Sequence, residues 1–446
     1  MNKKIFYPLS IVLFAVAVVF ILVNFRRKEK ERTSYELKER NGVLAKSSEY
    51  VMTRAAADRY KLAIEENPDD KKAMLGLAAL YIQEARVTGD HMYYDAAAMQ
   101  QVNNILNTDS ENFEALTYKA LIFLSQHHFA DGLEVAEKAK AINPYNAFIY
   151  GLLVDGNVEM GNYQKAVEHA DSMVSIRPDI RSYSRISYLR EIYGDYPGAI
   201  DAMRRAVDAG SGGEEGTEWA RVQLGHLYEN TGDLRRAEMY YTMALDDRPA
   251  YAYAQAGMAH IATANKDYSK AIQYYLKADS LVSDYTFKEE LSEVYKLAGQ
   301  TSKARDLAKS VVDAMSKDSK TAVSNENIGH YVDRELAYAY LKINDNDNAL
   351  THALAEYNRR PGNIDVNETV AWVYYNQDKA DKAIPYLEEA LKTKSKNPLL
   401  MCHAGLIYAK AGQKALARSY LNEGLKNNPN IPEELKKESK VVMDRL

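Results

Sequence analysis

An all-α solenoid built from stacked helix–turn–helix units is the fold the sequence predicts, and three observations predict it. The string Gly232-Asp233-Leu234-Arg235-Arg236-Ala237 recurs in blurred form, as Gly161-Asn162-Tyr163-Gln164-Lys165-Ala166, Gly194-Asp195-Tyr196-Pro197-Gly198-Ala199 and Gly412-Gln413-Lys414-Ala415-Leu416-Ala417. The small residue that closes each string marks a period. Ala56, Ala96, Gly132, Ala166, Ala199, Ala237, Ala271, Ala304, Ala349, Ala383 and Ala417 stand at intervals of 40, 36, 34, 33, 38, 34, 33, 45, 34 and 34. A self-similar period of this size is the mark of a helical repeat array. A second marker keeps the same register: Pro68, Pro144, Pro178, Pro249, Pro361 and Pro429 each fall 12 residues after their small residue.

Each repeated residue type has a physical task. The first helix of a unit carries a bulky–small–x–x–Tyr pattern, as in Leu77-Ala78-x-x-Tyr81, Leu224-Gly225-x-x-Tyr228, Leu336-Ala337-x-x-Tyr340 and Val370-Ala371-x-x-Tyr374. Bulky residues at i and i+4 share one helix face, and the small residue between them lets the second helix come close. Gly at the turn stops the first helix, and the Asp or Asn after it caps the second. Pro then ends the pair, because it cannot continue a helix. One pair cannot bury its own apolar face, so neighbours must stack. The pattern resembles the tetratricopeptide repeat family over about residues 49–430. The resemblance implies a right-handed α-solenoid of about ten helix–turn–helix repeats.

Taken from the N-terminus, residues 1–4 are basic and residues 5–25 are apolar apart from Pro8, Ser10 and Asn24. A helix of that length spans about 30 Å, enough for a bilayer core, and 1–25 is expected to be a transmembrane anchor. Arg26, Arg27, Lys28, Lys30 and Arg32 after the run outnumber Lys3 and Lys4 before it. Positive-inside counting therefore puts the solenoid of this single-pass chain on the cytoplasmic side, with a periplasmic placement as the alternative. Residues 26–48 read as a charged juxtamembrane linker and 49–67 as the second helix of a degenerate first unit. A unit with an insert around 87–94 follows, then regular units to 209. The Gly-rich stretch 210–216 is a possible joint; no Gly-Lys-Ser/Thr follows it, which excludes a phosphate loop. An excess near 316–327 reads as a loop or an extended helix end, and 431–446 as a C-terminal cap helix.

Chemistry is sparse. The net charge of −5 gives no case for nucleic acid, and the single cysteine, Cys402, excludes a disulfide framework and a cysteine-rich metal module. Asn344-Asp345-Asn346-Asp347-Asn348 lacks the oxygen ligand and the glycine that a calcium loop needs, having Ala349 and Leu350 there. No His pair shows the i, i+4 spacing of a helical zinc site. No catalytic residue, cofactor, metal or small-molecule substrate is expected, and the chain is not expected to be an enzyme. The 34 tyrosines suit packing wedges with a polar tip.

What remains is a groove. In the family resembled, first helices line a concave face that takes peptides or partner helices. Carried over by repeat position, that implies a partner-binding groove of Tyr188, Glu191, His226, Glu229, His260, Glu293, Lys296, Arg334, Tyr338, Trp372 and Tyr375. The family's carboxylate clamp uses Asn and Lys or Arg at set positions; His226, His260 and Tyr338 stand at the matching ones, which argues against a chaperone-tail adaptor. The expected function is a membrane-anchored scaffold or adaptor for a segment of another protein, or, as the alternative, an extracytoplasmic accessory in envelope assembly or secretion.

Overall fold

The protein is described by a computed structural model, and the residues described are 35–324, 329–427 and 431–446. Among these residues there are twenty-two α-helices and no strand. A single helix, α1 (Ser48–Glu66), comes first. Pairs then follow: α2 (Lys71–Thr88) with α3 (His91–Leu106), α4 (Phe113–Ser125) with α5 (Phe129–Ile142), α6 (Ala147–Glu159) with α7 (Tyr163–Ile176), and α8 (Ile180–Ile192) with α9 (Tyr196–Asp208). Next are α10 (Glu215–Asn230) with α11 (Leu234–Asp247), α12 (Ala252–Ala264) with α13 (Tyr268–Leu281), and α14 (Tyr285–Leu297) with α15 (Thr301–Ser324). The last are α16 (Asp333–Lys342) with α17 (Asn346–Arg359), α18 (Ile364–Asn376) with α19 (Ala380–Ala390), and α20 (Pro398–Lys410) with α21 (Lys414–Asn427). A single helix, α22 (Glu433–Arg445), closes the array. The helix count thus differs from a plain array of about ten pairs, because among the described residues an additional helix stands at each end of the paired array.

The turn chemistry works as the residue types require. Gly232 takes the left-handed conformation (φ +83°), and the Asp233 carboxylate accepts from the Arg236 N–H at 3.0 Å. The same left-handed position is filled by His127, Lys266, Asn344 and Asp378 in other pairs. Asp345 caps α17 by accepting from the Asn348 N–H, so the Asn/Asp-rich run is a capped turn. The small residues are close-approach points. Tyr241 is fully buried, and a Cβ on Gly225 or Gly257 would lie 2.3 or 2.6 Å from its ring. One aromatic wedge therefore fills the space that two glycines on successive first helices leave open.

Two elements depart from a plain repeat. The excess before 328 is helical: α15 runs for 24 residues to Ser324. Residues 35–41, within the stretch 26–48 expected to be a linker, lie along α2 and α3. Tyr81 and Tyr93 donate to the carbonyls of Tyr35 and Glu36, and the buried Arg40 guanidinium donates to the buried Glu84 carboxylate.

The expected single-pass membrane placement does not stand. The run 5–25 lies outside the described residues, and among the described residues no helix is long and apolar enough to cross a membrane. Even the longest, α15, carries Lys303, Arg305, Asp306, Lys309, Asp313 and Lys317 along its length, a load of charge that a hydrocarbon core rejects.

The solenoid coils back onto itself. Residues about 200 positions apart meet along a seam, which at a 34-residue period corresponds to about six repeats per superhelical turn. The Tyr331 N–H donates to the Gln126 carbonyl at 3.1 Å and the Ser283 N–H to the Thr88 carbonyl at 3.0 Å. The Ile364 N–H donates to the Tyr163 hydroxyl at 2.9 Å, and Arg360 pairs with Glu159. Glu49 and Arg248 close the same seam nearer the N-terminus at 2.8 Å.

The seam gives one turn glycine a second task. Gly161 has φ +77°, and a Cβ there would sit 2.1 Å from the Gly362 carbonyl oxygen of the next superhelical turn. Gly299 has the same φ of +77° with nothing within 4 Å. Both Gly161→Ala and Gly299→Ala meet the left-handed penalty of about 1 kcal/mol. Only Gly161→Ala also pushes two turns apart, so its melting midpoint should fall clearly further. Equal shifts in a thermal melt would contradict the seam.

Candidate functional site

First helices of the pairs, the even-numbered ones, face the interior of the superhelix, because their Tyr-bearing faces pack on the second helices and leave the opposite face inward. Closing the seam turns this concave face into a lumen. Between α2 and α10 the lumen opens into a cavity of about 1500 Å³. Its wall includes Arg86, Tyr118, Phe148, Tyr188, Trp219 and His226. Tyr188 keeps 43% of its surface exposed and projects into this space. The Arg181 guanidinium lies 4.8 Å from the Phe148 ring centre; burial, then the neighbouring Arg185, Arg86 and Arg177, push its pKa down. The wall thus mixes aromatic faces with cationic and acidic groups.

The eleven predicted groove residues fall into three places. Tyr188, Glu191 and His226 line the cavity. Glu191 accepts from the Asn230 amide at 3.2 Å, and burial raises its pKa. Next along the lumen, His260 stands between two carboxylates, with Nδ1 3.1 Å from Glu229 and Nε2 3.2 Å from Glu290. Burial opposes protonation of His260, but Glu229 and Glu290 outweigh it and hold the pKa well above the usual imidazole range. Burial has the opposite result for His226, whose pKa is lowered.

The remaining residues lie toward the C-terminal end. Tyr338 donates to Glu368, which also meets the buried His403. Burial opposes ionisation of Glu368, yet His403, Tyr338 and Arg334 lower its pKa. Trp372 stacks between His403 and Tyr375, with ring centres at 3.6 and 4.7 Å. Arg334 lies 5.8 Å from the Tyr338 ring centre, and its Nε has no hydrogen-bond partner among the described residues. Glu293 lies 3.8 Å from Lys342. Lys296 and Tyr375 are claimed by the closing helix: Lys296 pairs with Glu434 at 2.7 Å, and the Tyr375 hydroxyl donates to Glu438 at 2.5 Å. In this structure α22 occupies the space that those two side chains would offer to a ligand.

Sequence reasoning did not bring Glu290, Glu368 or His403 into the site. A signal for the histidine cluster was present. His226 and His260 are 34 residues apart, one period, so they stand at the same place on successive lumen helices. A search for i, i+4 pairs within one helix does not register a pair separated by a whole repeat.

Comparison with known proteins agrees with the fold. Residues 222–286 and 370–432 match the family model described as a tetratricopeptide repeat. A search of curated proteins returns no match. Among solved structures, the chain is similar to a tetratricopeptide repeat protein from Parabacteroides merdae, at 16% identity and a TM-score of 0.43, over 57% of this chain and 96% of that one. It is also similar to a thermophilic tetratricopeptide-repeat protein of Thermus thermophilus, at 18% identity and a TM-score of 0.36, over 46% of this chain and 98% of that one. A third is the human IFIT1 dimer with PPP-AAAA, at 14% identity and a TM-score of 0.48, over 78% of this chain and 80% of that one.

Proposed function

We propose that this tetratricopeptide-type helical repeat chain is an interaction scaffold that holds an extended or helical segment of a partner protein in its lumen. The observation that carries the reading is the cavity of about 1500 Å³ walled mainly by first helices, into which Tyr188 projects with 43% of its surface exposed. A repeat fold of this type is typically a non-enzymatic interaction scaffold, and the proposal assigns it no turnover. The groove residues Tyr188, Glu191 and His226 take the first contacts, while Arg334, Tyr338 and Trp372 extend the surface toward the C-terminal end. Aromatic residues and arginine are the types that interfaces enrich as anchors. A groove of this size supports affinity on the order of micromolar, about −8 kcal/mol.

The reading is tested by position-specific crosslinking. A photoreactive residue is placed at Tyr188 in the lumen or at Met239, which is exposed on a second helix. Each purified full-length chain is illuminated in cell extract and the attached peptides are sequenced. Discrete peptides of one partner at Tyr188, absent at Met239 and reduced by Tyr338→Ala with Trp372→Ala, are expected. Equal labelling at both positions, or capture indifferent to the double substitution, would remove the groove from the account.

A further inference from the structure

The histidines and carboxylates midway along the lumen form a constellation that a partner-binding groove does not require. His226 and Glu229 lie three residues apart on α10, His260 on α12 and Glu290 on α14. The three residues His226, Glu229 and His260 each present a ligand atom, and those atoms lie within 4.8 Å of one another. We propose that they bind a first-row divalent transition ion of the zinc class, with Glu290 as the carboxylate that orients His260.

Geometry supplies the first argument. Zinc bonds of about 2.0–2.2 Å to nitrogen and oxygen place neighbouring ligand atoms about 3.3 Å apart. His260 Nδ1 and the Glu229 carboxylate already stand at 3.1 Å, so only His226 has to close in. That movement is available. The His226 ring makes an edge contact with Tyr241 at 5.7 Å and stacks on His260 at 5.9 Å, but it has no hydrogen bond among the described residues that coordination would break.

Orientation supplies the second. A metal-bound imidazole nearly always donates its other N–H to a carboxylate or carbonyl, which fixes the tautomer and raises ligand basicity. Glu290 lies 3.2 Å from His260 Nε2, so the Nε2–H is held there and the Nδ1 lone pair is left for the ion beside Glu229. The ion takes the place of the Nδ1 proton, which leaves to solvent. Charge supplies the third argument: once that proton has left, two carboxylates and two neutral imidazoles carry −2, which a divalent ion cancels. A His₂Glu set suits zinc or its neighbours rather than calcium or magnesium, which prefer oxygen ligands alone. Three protein ligands leave a fourth position. His226 lines the cavity, so that position opens toward the lumen.

The test uses the full-length chain, free of any affinity tag and stripped with a chelator. Zn²⁺ is titrated by calorimetry, and Co²⁺ by its visible d–d absorption, which is intense in tetrahedral sites. One ion per chain is expected with the tetrahedral Co²⁺ spectrum. His226→Ala, which removes no hydrogen bond, should weaken binding by about 100-fold and abolish that spectrum while leaving the circular dichroism spectrum unchanged. Glu290→Gln should weaken it by about 10–100-fold, and it supplies a second reading should His226→Ala disturb the fold. His169→Ala, on α7, should bind as the parent does. Absence of the tetrahedral spectrum, or equal affinity in the parent and both site variants, would overturn the proposal and leave His260 as a protonated bridge between Glu229 and Glu290.

Discussion

Ala237→Glu should unfold the middle of the array. Ala237 is 0% exposed, on the face of α11 that packs against α10, in a cluster with Leu224, Tyr228 and Tyr241. A glutamate there has no room and no counter-charge, and a buried unpaired carboxylate costs about 3 kcal/mol or more. A repeat array does not unfold as one unit, since most of each repeat's packing comes from its immediate neighbours and the seam adds only a few contacts. The loss should therefore appear first as accelerated hydrogen exchange in α10 to α13 and then as a lowered melting midpoint. Met239→Glu, two residues away on the same helix but 46% exposed, should stay within about 0.5 kcal/mol of the parent. If the two variants exchange and melt alike, the packing register of this pair is wrong.

That register was legible in the sequence because every repeat restates it. The small residue at Ala237 recurs in each unit, and Gly225 and Gly257 recur one helix earlier, where Tyr241 needs their space. Other features were not legible, and the reasons are physical. A seam between Arg360 and Glu159 depends on the accumulated twist of about six repeats, and a small change in twist per repeat would set those residues far apart. Nothing local to Gly161 distinguishes it from Gly299; only the Gly362 carbonyl of the next turn does. The groove residues were chosen by repeat position. Position alone does not show that α22 would return across the lumen to take Lys296 and Tyr375. For His226, Glu229 and His260 the helical periodicity placed each residue on the inward face, while their convergence depends on how closely successive first helices stand.

Arg360→Ala should open the superhelix. The Arg360 guanidinium is buried, bonds both Glu356 and Glu159, and lies 4.6 Å from the Phe129 ring centre. Glu356 keeps Arg359 as a partner when Arg360 is lost. Glu159, across the seam and part-exposed in the cavity wall, loses its direct cation and keeps only the field of Arg334, opposed by Asp365. Breaking a fully buried pair from one side costs about 3–5 kcal/mol, and with Glu159 32% exposed the cost here is smaller. The turns can avoid that cost by separating, because the rest of the seam near this point is a few hydrogen bonds, such as the Asn363 amide donating to the Glu159 carbonyl at 3.0 Å. The expected result is a larger radius of gyration by small-angle scattering, with faster exchange at the Ile364 N–H that the Tyr163 hydroxyl receives. Arg360→Met combined with Glu159→Leu replaces the pair by apolar groups of similar bulk and should keep the seam shut, since such exchanges are often neutral. Unchanged scattering in Arg360→Ala would mean that the seam is held by the backbone and glycine contacts instead. Under the proposed scaffold function the distinction matters, because a partner segment would enter a lumen enclosed by just under two superhelical turns either through its ends or through this seam. Arg360→Ala should raise the rate of crosslinking at Tyr188 if the seam is the route in, and leave it unchanged if the partner threads from an end.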